Sequence, residues 1–300
     1  MDWELKLIKL FVYICKHYDE FLWAYGERQS NNDEPAFSDV EVIVVYLWGV
    51  MRGYRKPKSI YQYTRDHLAP WFPTLPSYKN YVVRLNRLNG VFVPLLAQIQ
   101  ADFSQWEGGE IIKLIDSMPI IMAKAQRSGN AKVAPELANK GYNATKKTYY
   151  YGVKLHILGI RQPGALPLPD YIGVTAASEA DINVLKEMAA DLYETPIYAD
   201  KAYIDEFLAQ MLAEQGSPLK TPVKKKKGQK TLLLFQEAFS TLVSQMRQPI
   251  ESLFNWIQEK TGIQIASQVC STQGLLNRSQ RENWSFITNN GTFIAFSFNS

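Results

Sequence analysis

The sequence predicts an α/β domain with a mixed five-stranded sheet and helices, preceded by an all-α N-terminal domain. Two observations predict this class. Apolar side chains recur at helical spacing over roughly the first hundred residues, whereas short apolar runs typical of buried strands alternate with helical segments from residue 111 onward. The pair Gly108-Gly109 separates the two textures, so we predict a helical region over 1–107 and an α/β domain over 108–300.

The N-terminal region is predicted to be helical throughout. Apolar spacing indicates a first helix around 5–14, and Ser38 followed by Glu41 fits a capping box that begins the next one. Ser77 is a predicted N-cap of a short basic helix that Gly90 ends. The remaining predicted helices cover 59–68 and 91–106.

The α/β domain has a characteristic order of elements. Strands are predicted over 111–115, 149–160, 171–176, 196–200 and 219–223, with a polar stretch over 124–147. Helices are predicted over 179–192, 203–214 and 232–259, the last kinked or divided at Pro249. Three strands, then helix, strand, helix, strand and a closing helix is the order of a ribonuclease-H-like domain.

Composition restricts the classes of protein. The formal net charge is +4, which permits a polyanionic partner without requiring one. The two cysteines, Cys15 and Cys270, are too few for a disulfide scaffold or a zinc finger. The N-terminus lacks a signal-peptide pattern, and apolar runs such as 42–50 are too short to cross a bilayer. We therefore expect a cytoplasmic protein with no membrane contact.

Three carboxylates stand out. Asp116 and Asp200 each follow an apolar strand, and Glu251 lies on a predicted helix. Strand-borne aspartates and a helix-borne glutamate can converge on Mg²⁺, which prefers oxygen ligands. For Asp116 alone, a strand-end carboxylate satisfied by hydrogen bonds is an equally good interpretation. The chain has 29 acidic residues, so spacing alone does not select these three.

Four strings surround these acids: IDSMP at 115–119, YGVKLH at 151–156, ADKAY at 199–203 and RQPIE at 247–251. Together they resemble the catalytic domain of insertion-sequence transposases of the DDE class, which has the ribonuclease-H-like fold. The segments 37–42 and 71–77 resemble the helical N-terminal region of one branch of that class. In some relatives a Tyr and a Lys stand where this chain has Ser244 and Gln258, so this chain departs from the resemblance at two positions that handle DNA at the transposon end.

The resemblance implies an enzyme that cleaves DNA at transposon ends and joins the freed 3′-OH to target DNA. Two Mg²⁺ ions, for which Mn²⁺ can substitute, would be held by Asp116, Asp200 and Glu251. The implied partners are double-stranded DNA, namely terminal inverted repeats and target, and a second subunit, because two ends must be paired. A homodimer on DNA, associated with the nucleoid, is therefore expected.

Three further residues are candidates for a supporting role. Arg247 lies four residues before Glu251 and either positions it, contacts a phosphate or forms an ordinary surface pair. Lys154 and His156 alternate along the second predicted strand and so share a face. We favour a DNA phosphate as the partner of Lys154 and a hydrogen-bonded core position for His156.

Basic residues in three places are candidates for DNA binding. Each set has an ordinary alternative, which is a packed helix with a polar face for the first and a solvated charge run for the others. The candidates are Lys79, Arg84 and Arg87 on the basic helix, Lys146 and Lys147 between the first two strands, and Lys224 and Lys225 in the lysine-rich linker.

Three other functions remain open. A DNA nuclease or resolvase on the same fold would cleave without joining. A retired transposase would bind DNA without catalysis, and the intact acids argue against it. A helical interaction scaffold would leave the two strand-borne aspartates unexplained.

Overall fold

Two compact units form the protein in the computed structural model, which describes residues 3–26, 35–104, 111–144, 146–225, 228–229, 231–264 and 266. Of these, residues up to 104 and 259–263 belong to unit 1, and residues 111–258, 264 and 266 to unit 2. The boundary predicted between 107 and 108 lies outside the described residues, as do Cys270 and the stretch 271–300.

Unit 1 contains only helical elements among its described residues. They are α1 (Trp3–Glu20), α2 (Asp39–Met51), α3 (Pro57–His67), α4 (Tyr78–Arg87) and α5 (Phe92–Ser104), with 3-10 turns at Leu22–Tyr25 and Leu88–Val91. The central helix is α2, which is buried on all sides over 42–49 and packs against α1, α3 and α4. These helices support the predicted all-α N-terminal region.

The capping box of α2 is confirmed. The Ser38 hydroxyl accepts a hydrogen bond from the backbone N–H of Glu41 at 3.1 Å, and the Glu41 carboxylate accepts one from the backbone N–H of Ser38 at 2.6 Å. The two bonds satisfy two backbone donors that the first helical turn would otherwise leave unpaired. The hydroxyl of Ser77 likewise caps α4, as its position predicted.

Unit 2 is built on a six-stranded mixed sheet. Its strands are β1 (Lys113–Lys124), β2 (Asn139–Asn143), β3 (Thr148–Ile160), β4 (Leu168–Ala176), β5 (Ile197–Tyr198) and β6 (Leu219–Lys220). The order is β4-β3-β1-β5-β6. Strand β2 also pairs with β3, on the same side as β4 but along the first residues of β3. The pairs β1–β5 and β5–β6 are parallel, and all others are antiparallel.

Two expectations about this sheet are wrong. The sheet has six strands because β2 lies inside the stretch 124–147, whose Asn and Gly residues have low strand propensity. It pairs with the long strand β3, which extends beyond β4 and offers a free edge. In addition, Asp116 is the fourth residue of a twelve-residue strand rather than its last, because β1 pairs with β3 as far as Lys124.

A close approach of β1 and β3 explains one residue of the YGVKLH string. An added Cβ at Gly152 would lie 2.0 Å from the carbonyl oxygen of Ile120, which belongs to the backbone and has no room to move. The register of the two strands shifts next to this point, between Ile121 and Ala123. Glycine is therefore required here for packing of the sheet.

Three helices complete unit 2: α6 (Asp181–Met188), α7 (Glu206–Glu214) and α8 (Leu234–Thr261), with 3-10 turns at Ala125–Arg127, Ala189–Asp191 and Lys201–Tyr203. The predicted division at Pro249 is wrong, because α8 continues through it. Ile250, Leu253 and Ile257 are buried, and this packing maintains the helix where Pro249 removes a hydrogen bond.

The sheet order, its mixture of parallel and antiparallel pairs and the placement of the helices are compatible with the predicted ribonuclease-H-like fold. The core of this unit lies between the sheet and helices α6 and α7. It includes Ile115, Leu158, Leu185 and Leu212. In the part of the chain that the structure describes, none of the helices has the length and apolar character needed to span a membrane.

Candidate active site

Asp116 lies within β1, and Asp200 follows the end of the adjacent parallel strand β5 by two residues. The last paired residues before them are Leu114 and Tyr198, each two positions before its aspartate. Beyond Tyr198 the chain remains attached to β6 through a 3.0 Å hydrogen bond from the N–H of Ala199. Asp116 is therefore held by the sheet, and Asp200 stands directly beyond the carboxyl end of the neighbouring strand.

Local hydrogen bonds orient both aspartates. One oxygen of Asp116 accepts a bond from the backbone N–H of Ser117 at 2.8 Å, and one oxygen of Asp200 accepts a bond from the N–H of Ala202 at 2.6 Å. The second bond caps the 3-10 turn at Lys201–Tyr203. Each carboxylate thus has a fixed direction and a second oxygen for another partner.

Arg247 connects the third acid to this pair. Its guanidinium donates a hydrogen bond to Asp116 at 2.9 Å and lies 3.8 Å from the carboxylate of Glu251, one turn further along α8. Arg247 is 7% exposed, whereas the side chain of Glu251 is 55% exposed. Of the three roles considered for Arg247, this geometry supports the positioning of acidic side chains.

Negative charge accumulates around Asp116. The pKa of Asp116 is raised from 3.8 to about 6, chiefly by burial; Asp200 and Glu251 also raise it, whereas Arg247 and the Ser117 N–H lower it. Three carboxylates thus act on one another here with a single guanidinium beside them. A cluster of this kind has the charge and the oxygen donors that suit a divalent cation.

The family of the chain follows from a comparison with known proteins. A family model described as a transposase DDE domain matches residues 107–269, more than half of the chain. The chain belongs to the DDE transposase family. No curated protein and no solved structure matches it.

Transposases of this family generally use divalent metal ions. The carboxylates of Asp116, Asp200 and Glu251 fit this use by donor type and by the negative charge around Asp116. Among the described residues, however, no three Asp, Glu, His or Cys side chains stand close enough to hold an ion together. Binding would thus require side-chain rearrangement, for which the exposed Glu251 has the freedom.

An open groove of about 660 Å³ begins at Asp200 and Glu251 and follows α8. Residues of α8 at helical spacing, including Glu237, Thr241, Ser244 and Gln248, line it together with Asp200 and Lys201. Ser244, which stands where some relatives have a tyrosine, therefore faces the groove beside the transposase acids. Its position suits contact with a bound DNA strand, although its short side chain reaches less far than tyrosine.

Lys154 is engaged within the fold. Its ammonium group donates hydrogen bonds to the carboxylate of Asp181 at 2.9 Å and to the backbone carbonyl of Glu179 at 2.7 Å. Both side chains of the ion pair are only 17% exposed. Lys154 therefore attaches the start of α6 to β3, and a contact with a DNA phosphate would have to break this ion pair.

His156 lies in the core, as the favoured interpretation held. It is fully buried, and its Nε2 atom forms a 2.8 Å hydrogen bond with the Thr175 hydroxyl on the neighbouring strand. Burial lowers the pKa of His156 from 6.5 to about 4. It is thus a neutral packing residue of the sheet.

His156 makes the stability of the transposase depend on pH. The unfolded chain binds the His156 proton more tightly than the folded chain, so stability is complete above pH 6.5 and is lost as pH falls towards 4. Between pH 7.5 and pH 5 we expect this histidine to cost about 2 kcal/mol of unfolding free energy. His156→Gln should lose less stability over that interval in urea unfolding, whereas His67→Gln at an exposed site should not. Equal pH dependence in wild type and His156→Gln would contradict the prediction.

The basic candidates for DNA contact differ in availability. Lys79 and Arg87 are exposed on one face of α4, opposite the buried Tyr81 and Leu85. Arg84 instead pairs with Asp39 at 2.6 Å and donates to the backbone carbonyl of Phe37, which attaches α4 to the start of α2. The four remaining candidates, Lys146, Lys147, Lys224 and Lys225, are exposed.

One residue of the site was missed from the sequence. Tyr203, in the ADKAY string, is completely buried, and its hydroxyl has no hydrogen-bond partner among the described residues. Burial, together with the charges of Asp181, Asp116 and Asp200, raises its pKa far above the usual value. The signal was available, because a tyrosine three residues after a strand-borne aspartate lies within reach of the same site.

Proposed function

We propose that the chain is a DNA transposase that cleaves transposon ends and joins the 3′-OH to target DNA by two-metal-ion phosphoryl transfer. The catalytic domain would be ribonuclease-H-like and cover 108–300. The observation that supports this most is that Asp116 and Asp200 each follow, by two residues, the paired residues Leu114 and Tyr198 of adjacent strands, with Arg247 connecting Asp116 to Glu251.

In this mechanism the chain supplies the ligands and their orientation. Asp116, Asp200 and Glu251 would hold two Mg²⁺ ions, for which Mn²⁺ would be able to substitute. When bound, the ions activate the attacking oxygen and stabilise the leaving oxygen. The Ser117 and Ala202 N–H groups direct the two aspartates, while Arg247 restrains Asp116 and Glu251. Water would be the first nucleophile and the 3′-hydroxyl the second.

The helical region 1–107 would bind the terminal inverted repeats. Lys79 and Arg87 are exposed at i and i+8 on α4, so both can approach a groove or a phosphate backbone together. Arg84 would support this surface indirectly, through its ion pair with Asp39. Lys224 and Lys225 would bind phosphates beside the catalytic domain.

A homodimer on DNA follows from the proposed reaction, since two transposon ends must be cut and joined together. Association with the nucleoid follows in the same way. Both features are consequences of DNA transposition rather than of particular residues, and a size measurement with and without end DNA would test the dimer.

The decisive experiment uses labelled duplexes from the DNA flanking the coding sequence, where an insertion sequence has its ends. The full chain is incubated with Mg²⁺, Mn²⁺ or EDTA in the presence of a target plasmid. Metal-dependent cleavage with joined products supports the transposase. Cleavage without joining would identify a nuclease or resolvase, and tight binding without cleavage in any metal would identify a DNA-binding relative.

A further inference from the structure

The hairpin formed by β2 and β3 carries an exposed aromatic pair near its tip. Tyr142 and Tyr149 are direct cross-strand partners, with ring centroids 5.0 Å apart and planes inclined by 56°. The two side chains are 50% and 54% exposed. Beyond the last strand residue of β2, the Lys146 N–H donates a 2.9 Å hydrogen bond to the side chain of Asn143.

The same face of the hairpin is covered further from the tip. Tyr151 lies opposite Lys140, is only 6% exposed, and donates its hydroxyl hydrogen to the carbonyl of Val133. The loop containing Val133 thus shields the inner part of this face, and the outer tyrosine rings remain accessible. A cross-strand aromatic pair stabilises a hairpin by at most about 1 kcal/mol. This stabilisation does not explain why half of each tyrosine ring is exposed to solvent.

The charge around the two tyrosine rings indicates the kind of partner that they contact. Between residues 117 and 169 the chain has eight Lys or Arg residues and one acid, Glu136. The Lys140 ammonium group lies 4.8 Å from the centroid of the Tyr149 ring, and Lys146 and Lys147 are exposed in the loop between the strands. An accessible aromatic surface surrounded by cations matches a nucleic acid strand, whose bases stack and whose phosphates are anionic.

We propose that Tyr142 and Tyr149 form a stacking platform for an unpaired base of a DNA strand, while Lys140, Lys146 and Lys147 bind its phosphates. Duplex DNA offers phosphates to the lysines but no free base face, so the tyrosines make the site selective for single-stranded segments. The inference rests on the proposed function in one respect, which is that DNA is the substrate.

The test compares two labelled duplexes that differ only in a short single-stranded extension containing 2-aminopurine. Binding is measured by anisotropy in EDTA, where no cleavage occurs. Because stacking of one base contributes about 1–3 kcal/mol, wild type should bind the extended duplex about tenfold more tightly and quench the 2-aminopurine fluorescence. Tyr142→Val with Tyr149→Val should lose both effects and retain its affinity for the blunt duplex. Tyr193→Val, at an exposed site far along the chain, should change neither.

Two further variants separate the contributions. Tyr142→Phe with Tyr149→Phe keeps the rings and should preserve the preference, which controls for folding of the hairpin. Lys146→Ala with Lys147→Ala should weaken both duplexes alike and reduce the dependence on salt. Equal affinity of wild type for the two duplexes, or a preference that survives in the valine variant, would overturn the platform. Absence of binding to both duplexes would overturn the platform together with the proposed function. A tyrosine-dependent preference in EDTA, in a chain that cleaves no end duplex in Mg²⁺ or Mn²⁺, would overturn the proposed function alone.

Discussion

Asp116→Asn is expected to abolish DNA cleavage in Mg²⁺ in a chain that still folds, because Glu251 remains 3.8 Å from Arg247 when the charge of Asp116 is removed. The amide keeps the shape of the side chain and an oxygen for the Ser117 N–H, but it removes the negative charge that a divalent cation requires. Loss of an outer-shell partner of a metal typically costs 10–100-fold in affinity or activity, so loss of a direct ligand should cost at least about a hundredfold. Cleavage of the labelled end duplex measures this effect.

Asp191→Asn provides the matched control. Asp191 is an exposed acid of the same unit that follows α6. This substitution changes net charge by the same amount and should leave cleavage unchanged. Cleavage by Asp116→Asn within tenfold of wild type would show that Asp116 is not a metal ligand. Mg²⁺ titration by calorimetry would then decide whether another pair of acids holds the ions.

Much of the site was predictable because the signals for its aspartates lie in the sequence directly around them. Asp116 and Asp200 each follow an apolar run, and two strands that lie side by side in parallel bring such positions to one edge. The strings around them added the identity of the family, which the family model confirms. The prediction of Glu251 depended more on the resemblance. Periodicity alone predicts the helix but does not distinguish Glu251 from the other acidic residues on it.

The residues that the sequence did not place are those whose partners lie far along the chain. Lys154 pairs with Asp181, 27 positions later, and Arg84 with Asp39, 45 positions earlier. From the sequence, both basic side chains fit an unpaired residue that binds a DNA phosphate equally well. A basic residue on a strand or a helix does not indicate with which acid it will form an ion pair. The strand β2 was missed for a different reason: its partner β3 begins five residues later, but its own Asn and Gly residues have low strand propensity and the pairing supplies the stability that they lack.

Of the substitutions predicted here, Arg247→Met should cause the largest decrease in the unfolding free energy of the metal-free protein. Arg247 is buried and bonded to Asp116, and removing one partner of a buried pair costs about 3–5 kcal/mol because the other charge is left uncompensated. Urea unfolding at pH 8 measures the loss. It should shrink at pH 5: the pKa of Asp116 is already raised to about 6, and loss of the arginine raises it further, so the carboxyl is protonated there and no charge remains to be compensated.

The double variant Asp116→Asn with Arg247→Met isolates the cause. With both charges removed, the protein should regain most of the stability lost in Arg247→Met at pH 8, because a neutral pair leaves nothing uncompensated. If the three carboxylates bind Mg²⁺, the ion should also stabilise Arg247→Met more than wild type, since the cation supplies the positive charge that the guanidinium provided. An equal loss at pH 5 and pH 8, with no recovery in the double variant, would mean that Arg247 contributes by packing of its side chain alone.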